Sequence, residues 1–146
     1  MIAIIVVGLL SSQASASGCL SIPTVEEALK NSKAVFAGRV VGRFKYGVRV
    51  KIEKAWKGIT TRHIYIYTGN LRNDVDPWFE KGERWLMYAA DVRLYKDSYG
   101  TVPYSTKVMA RGCTRTKLLE YAAEDLKQLG LPKPIGSMNH LRKIKT

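Results

Sequence analysis

The chain has 146 residues, which predicts a single domain with a modest hydrophobic core rather than a multidomain enzyme. Its 24 lysines and arginines outnumber its 12 aspartates and glutamates, and the net charge of +12 favours anionic partners without naming one. No apolar stretch reaches the roughly 20 residues that cross a bilayer, so we expect no transmembrane span in the mature chain.

The first 16 residues have the pattern of an export signal. They carry no charged side chain, are apolar from Ile2 to Leu10, and end in a small-x-small sequence at positions 14–16. We therefore predict a signal peptide over residues 1–16 and a secreted, periplasmic or extracellular chain that begins at Ser17. The domain would then cover residues 17–130, followed by a basic, flexible tail over residues 131–146.

Two cysteines remain in that mature chain, Cys19 and Cys113. In an oxidising compartment a distant pair is more often bridged than free, so we predict a disulfide between them. Closing so long a loop contributes roughly 4 to 5 kcal/mol in the chain-entropy view. Two alternatives stay open: a pair of unrelated buried thiols, or lipidation of Cys19 as in a lipoprotein, which would remove the bridge.

The first predicted elements are a short helix and a long hairpin. Thr24 with Glu27 three residues later forms a capping box, and the helix that it starts should end near Asn31. From residue 34 the pattern has period two, with Phe36 to Phe44 apolar at even positions and basic residues at odd ones. The alternation resumes over residues 48–53, which predicts an antiparallel hairpin with one wet face.

The wet face of this hairpin carries a column of cations. A two-residue turn near Lys45 would place Arg43 opposite Arg49 and Arg39 opposite Glu53. The candidate polyanion-binding residues are Arg39, Arg43, Arg49 and Lys51. An ordinary solvated face is the alternative interpretation, and nucleic acid is an unlikely partner for an exported protein.

Three further strands and a second helix complete the predicted fold. The strands cover residues 63–67, 85–90 and part of 101–109, with a loop at 71–82. Beyond Cys113 the spacing becomes helical, with Thr114 or Thr116 as the cap and Gly130 at the end, and one apolar stripe: Leu118, Leu119, Ala122, Leu126 and Leu129. We expect a mainly β fold, a five-stranded OB-fold-like barrel with both helices packed on it.

Signatures of common enzymes are absent from the sequence. It contains no hydrolase, P-loop, dinucleotide or zinc-protease motif, and its two histidines, His63 and His140, suit structural roles. The acidic residues near Asp76 match no calcium loop. We therefore expect a non-enzymatic protein with no metal and no cofactor.

Several segments together resemble the netrin-like domains related to tissue inhibitors of metalloproteinases, in particular short secreted members with one such domain. The resemblance rests on residues 18–19, 26–29, 34–40, 54–58, 78–89 and 112–116, followed by the helix at 124–126. It implies an OB-type barrel, and it implies the pairing of Cys19 with Cys113. These domains usually open with Cys-x-Cys, and here Ser17 stands in place of the first cysteine.

The resemblance also implies a function. In the animal inhibitors the N-terminal amino group and carbonyl chelate the catalytic zinc of the protease, and Ser17 would occupy that position. The expected protease-contacting residues are Ser17, Gly18, Cys19 and Leu20, with Asp76 on a second contact edge. We expect a secreted protein-binding module whose partner is a zinc metalloprotease or another extracellular protein. The alternative is an adhesion module that holds a polyanionic surface on its basic barrel face.

Overall fold

A computed structural model of the chain describes residues 21–44, 46–68, 78–91, 108–110 and 113–135. These residues form a mainly antiparallel sheet with two flanking helices, which confirms the predicted fold class. The elements in chain order are α1 (Val25–Asn31), β1 (Ala34–Phe44), β2 (Gly47–Lys57), β3 (His63–Tyr67), β4 (Arg84–Asp91), β5 (Val108–Met109), β6 (Lys117–Leu118), a 3-10 helix (Leu119–Tyr121) and α2 (Ala123–Leu129).

Helix α1 begins where the capping box predicts. The Thr24 hydroxyl accepts a hydrogen bond from the Glu27 backbone N–H at 3.2 Å, and the Glu27 carboxylate accepts one from the Thr24 N–H at 2.8 Å. The bond from the Thr24 backbone N–H, and then one from the Thr24 hydroxyl to the same carboxylate oxygen at 3.0 Å, lower the pKa of Glu27. At the other end of the helix the Lys57 ammonium donates to the Leu29 and Lys30 carbonyls, both at 2.8 Å, and so satisfies two of the last acceptors.

The strand pairings run round the sheet and return to β1. Strand β1 pairs with β2 and β4, β2 pairs with β3, and β5 lies parallel to β3 and antiparallel to β4. This order gives the expected five-stranded, barrel-like sheet, in which β5 is the thinnest part because it makes only two residue pairs with each neighbour in the described chain. Strand β6, which the sequence pattern does not predict, pairs with Trp85 and Leu86 near the start of β4.

Bulges change the predicted register of the hairpin. Phe44 pairs with Gly47, so the turn has two residues as expected, but Val41 then has no partner in β2. The register that starts from this turn places Arg43 opposite Val48 rather than, as predicted, opposite Arg49, which lies opposite Gly42 instead.

A second bulge leaves Glu53 without a partner in β1. Arg39 lies between the two bulges, and the extra residue at Val41 places it opposite Lys51 and not, as predicted, opposite Glu53.

Two hydrophobic clusters lie on opposite sides of the sheet. The interior of the barrel holds residues such as Phe36, Val50 and Met87. On the outside, α1, α2 and the 3-10 helix cover one half of the sheet through a second cluster that includes Val35 and Leu86. The face of β1 that was predicted to be exposed to solvent is therefore buried by the helices over its first residues. Among the described residues, the exposed outer surface of the sheet lies toward β2 and β3.

The C-terminal segment differs from the expected single helix. Thr114 and Thr116 do not cap it: the Thr116 hydroxyl accepts from the Tyr88 N–H at 3.0 Å, and the Thr114 hydroxyl accepts from the Thr116 N–H. Strand β6 and the 3-10 helix come first, and α2 begins only at Ala123.

The end of α2 is at Gly130, as predicted, with a φ of 67° that favours glycine. The ordered fold then continues past the expected domain boundary. The Lys133 N–H donates to the Ala55 carbonyl at 2.7 Å, and Ile135 packs at the edge of the interior core. Residues 136–146 of the predicted tail lie outside the described residues.

Candidate functional site

A row of basic residues crosses the outer face of four strands. The pairings place Arg84 of β4 beside Arg39 of β1, Arg39 beside Lys51 of β2, and Lys51 beside His63 of β3. Their sequence neighbours, such as Val40 and the residues on either side of Lys51, are buried in the barrel, so the row itself points outward. The backbones of adjacent members are about 4.8 Å apart, because that is the usual spacing between neighbouring strands.

One carboxylate lies at one end of this row. Because Glu53 is the extra residue of a bulge, its side chain reaches between two arginines. Glu53 Oε2 accepts from Arg84 Nε at 2.8 Å and from Arg84 Nη2 at 2.5 Å, and Glu53 Oε1 lies 3.8 Å from Arg39 Nε. Arg39 also donates to the Gly82 carbonyl at 2.8 Å. Two of the row's cations are therefore partly neutralised by the fold itself.

Two cations of this outer surface, Arg49 and Lys51, have no carboxylate partner among the described residues. Both are exposed. Arg49 lies in the next row, between Gly42 of β1 and Tyr65 of β3, on the same outward side as Lys51. We name Arg39, Arg49, Lys51, His63 and Arg84 the basic face.

Arg43, the fourth predicted member of the basic column, does not belong to this face. It lies opposite Val48, whose side chain is in the barrel core, so the two point to the opposite side of the sheet from Arg49. At the end of the barrel its guanidinium makes an ion pair with Glu80 at 3.1 Å and lies 4.5 Å from the centre of the Trp78 ring. The bulge at Val41 is the cause, because one extra residue reverses the direction of every side chain beyond it.

Two aromatic rings adjoin the basic face. Phe44 and Tyr65 have their ring centroids 5.5 Å apart, with an angle of 46° between the ring planes. Burial raises the pKa of the Tyr65 phenol, with a smaller contribution from Tyr67. Phe44, predicted on the buried side of the hairpin, is instead 54% exposed, because the Val41 bulge turns it outward.

An open groove of about 450 Å³ borders the same end of the row as Glu53. Arg39 and Arg84 line one wall, and Leu118, Leu119 and Glu120 line the opposite one. The groove mixes both charge signs with apolar surface, so it does not single out a ligand class by itself.

A separate buried cluster of charges centres on Asp125, which is only 1% exposed. Its carboxylate accepts from Arg115 Nε and Nη2, both at 2.7 Å, from Lys117 Nζ at 2.9 Å, and from the Tyr88 hydroxyl at 3.1 Å. Burial by itself would raise the pKa of this carboxyl, but its donors outweigh that effect and lower the pKa to about 2.

The partners of Asp125 keep their protons. Burial, and then the adjacent carboxylate, raise the pKa of Tyr88, and the hydrogen bond to Asp125 raises that of Arg115. Arg115 also donates to the Pro23 carbonyl at 3.0 Å. Every polar group of the cluster has a partner inside the fold, which is typical of a structural ion network rather than of a catalytic site.

The residues expected to contact a protease lie outside the described residues. These are Ser17, Gly18, Cys19, Leu20 and Asp76. Cys113 is described and is not a free thiol, but because Cys19 is outside the described residues its pairing stays a prediction. The predicted signal peptide, at residues 1–16, also lies outside them.

The described part of the chain contains neither a metal-binding cluster nor a membrane-crossing helix. No group of three or more histidine, cysteine, aspartate or glutamate side chains there is arranged to hold a metal ion. None of the helices in that part is long and apolar enough to cross a membrane.

Sequence reasoning missed Arg84 and His63 as members of the basic face. Arg84 joins it only through the pairing of β1 with β4, which are far apart in the chain. The available signal was its place directly before the apolar run of β4, where an outward side chain is expected at the strand end.

Comparison with known proteins adds no family. No protein-family model matches the chain, and no curated protein matches it closely enough to indicate a common origin.

Proposed function

We propose that the protein is a non-enzymatic module that binds polyanions on its basic face. The observation that carries the proposal is the alignment of Arg84, Arg39 and Lys51 in one outward row, with Arg49 beside it. Closely spaced like charges repel one another, and that repulsion destabilises the empty face. A polyanion would relieve it along the whole row, which gives such a ligand an advantage over a single anion.

The overall charge supports the same conclusion. A net charge of +12 attracts any anionic polymer from a distance, and the basic face supplies two neighbouring cations, Arg49 and Lys51, that no carboxylate of the described chain neutralises. Binding of this kind depends on counterion release, so it should weaken steeply as salt is added.

The test uses two variants that lose the same charge. Arg49→Gln/Lys51→Gln removes both unneutralised cations but keeps the aliphatic stems that cover the sheet. Lys30→Gln/Lys127→Gln removes two exposed lysines from the helices. Affinity for heparin is measured by calorimetry at several salt concentrations.

The basic-face variant should lose affinity and lower the salt slope by roughly two, about one for each lost contact. The helix variant should behave like the unmodified protein. Equal losses in both variants would show that only net charge matters, and the proposal of a defined face would then be wrong.

We propose a second activity, metalloprotease inhibition through the N-terminus, on the resemblance described above. One structural observation favours it: Arg115 holds the Pro23 carbonyl, so the chain that follows Leu20 is fixed to the core even without a second disulfide. The protein that starts at Ser17 should inhibit a zinc protease, and one extra residue before Ser17 should abolish the inhibition. Inhibition that survives the extension would rule out zinc chelation by this amino group.

We also propose that the protein is exported and carries the Cys19–Cys113 disulfide. Export would remove residues 1–16, and the oxidising environment would then close the bridge. The intact mass of the exported protein, measured with and without reductant and alkylation, tests all of this. A mass that starts at Ser17 and gains two alkyl groups only after reduction supports the proposal, whereas a lipid adduct on Cys19 would overturn it.

A further inference from the structure

The exposed ring of Phe44 is the feature of the basic face that charge alone does not explain. Among the described residues few large apolar side chains are as exposed, and this one lies at the end of a strand whose apolar residues are buried as far as Val40. Its ring lies beside that of Tyr65, so the two form one aromatic surface on the outer side of the hairpin.

A glycine lies beside each of these rings, and at Gly47 the approach is too close for a side chain. A Cβ on Gly47 would be 3.0 Å from two carbons of the Tyr65 ring, and one on Gly42 would be 3.7 Å from two carbons of the Phe44 ring. At Gly47 a side chain would also meet the Ile66 carbonyl at 2.1 Å. Gly47 therefore lets the Tyr65 ring pack close to the backbone of the hairpin, while the Phe44 ring is 54% exposed to solvent.

A cation adjoins this aromatic surface. Arg49 lies in the same row as Gly42 and Tyr65, and its Cβ is 4.0 Å from where a Gly42 Cβ would be. Lys51 lies on the same face two residues further along β2. The aromatic surface and the positive charge of Arg49 are therefore neighbours on the same face of the sheet.

From this arrangement we propose that Phe44 and Tyr65, with Arg49 and Lys51, form a binding site for one hexuronate ring of an acidic polysaccharide. The apolar C–H face of the sugar stacks on the aromatic rings, while its carboxylate pairs with the guanidinium of Arg49. This inference rests on the proposed function, because it names the polyanion that the basic face selects.

The closeness of ring and charge favours a uronate over single-stranded nucleic acid. In a hexuronate the carboxylate is attached directly to the ring that stacks. In a nucleotide the whole sugar separates the base from its phosphate. Nucleic-acid channels also present several stacking side chains to successive bases, and the described part of this face presents one adjoining pair.

The experiment compares four polymers on the purified protein. Polygalacturonate has rings and carboxylates, polyphosphate has charge without rings, dextran has rings without charge, and oligo(dT) has bases and phosphates. The variants are Phe44→Ala, Phe44→Leu, which keeps apolar area without a flat ring, and Tyr121→Ala, which removes an exposed aromatic side chain that is not on the hairpin.

We expect polygalacturonate to bind more tightly than polyphosphate, and dextran not to bind. Phe44→Ala and Phe44→Leu should each weaken the binding of polygalacturonate about tenfold and leave that of polyphosphate unchanged. Tyr121→Ala should change neither. Because Phe44 is half exposed, its replacement should leave the fold intact, which circular dichroism checks.

The alternative outcomes separate this inference from the function on which it rests. If both Phe44 variants bind polygalacturonate as tightly as the unmodified protein, the uronate site is wrong and the basic face stands. If Phe44→Ala weakens only the binding of oligo(dT), the site is one for nucleic acid and the uronate proposal is overturned. If neither polygalacturonate nor polyphosphate binds, the proposed function is wrong as well.

Discussion

Replacing Asp125 with asparagine should be one of the most damaging single changes in the described chain. The variant removes the only carboxylate that Arg115 and Lys117 share and leaves two cations facing each other in a largely buried place. Removing one partner of a buried ion pair costs about 3 to 5 kcal/mol, because the remaining charge loses its compensation. A loss of that size is a large share of the stability of a typical domain.

The pH dependence of the unmodified protein gives a second prediction for the size of the stabilisation that Asp125 provides. The Asp125 pKa falls from 3.8 in the unfolded chain to about 2 in the fold. A carboxyl with a lowered pKa stabilises the fold fully above its unfolded pKa, and this stabilisation disappears as the pH falls through the folded pKa. About 2 kcal/mol should therefore be lost between roughly pH 5 and pH 2.

Urea denaturation of the protein and of Asp125→Asn over that pH range measures both effects. The two should differ most at pH 7 and approach each other as the pH falls. Glu124→Gln, an exposed neighbour on α2, is the matched control and should change stability by less than about 0.5 kcal/mol. Parallel curves for the protein and Asp125→Asn would refute the role that we assign to the carboxylate.

Three further changes test other parts of the fold. Thr24→Ala removes the capping box and should cost about 1 kcal/mol in denaturant titrations, whereas Thr24→Ser should not. Gly38→Ala would put a Cβ 2.6 Å from the Lys51 carbonyl oxygen and should lower the free energy of unfolding by about 2 kcal/mol. Gly42→Ala, where the nearest atom is 3.7 Å away, should leave it almost unchanged, and equal costs for the two variants would contradict this. Glu53→Gln should tighten heparin binding by releasing the arginines that it holds, and weaker binding would show that it orients them instead.

Local sequence patterns were sufficient to predict most of the elements but not the register of the hairpin. The period-two alternation and the two-residue turn correctly identified β1 and β2. The bulge at Val41 left no trace in that pattern, because the next residue is glycine and has no side chain to appear on the wrong face. For the same reason the pattern did not show that Phe44 is exposed or that Arg43 lies outside the basic face.

The C-terminal segment could not be predicted for a different reason. Its leucines have helical spacing, and Leu119, Leu126 and Leu129 do pack against one cluster, as the stripe implies. Leu118, however, packs against the barrel interior, because it lies in β6, which pairs with Trp85 and Leu86 near the start of β4. That pairing joins residues that are remote in sequence, so tertiary contacts override the local preference for helix.

The hydrogen bonds of Arg115 have a consequence for synthesis. This residue joins Pro23, 92 positions earlier, to Asp125 on the last helix, and Trp56 likewise donates to the Gly130 carbonyl across 74 positions. The first strands can emerge and pair as a hairpin, but the outer layer that covers them cannot assemble until the final helix has been made. Until then the apolar outer side of β1 stays uncovered, so the nascent chain should be most exposed to aggregation or chaperone capture just before its last residues appear.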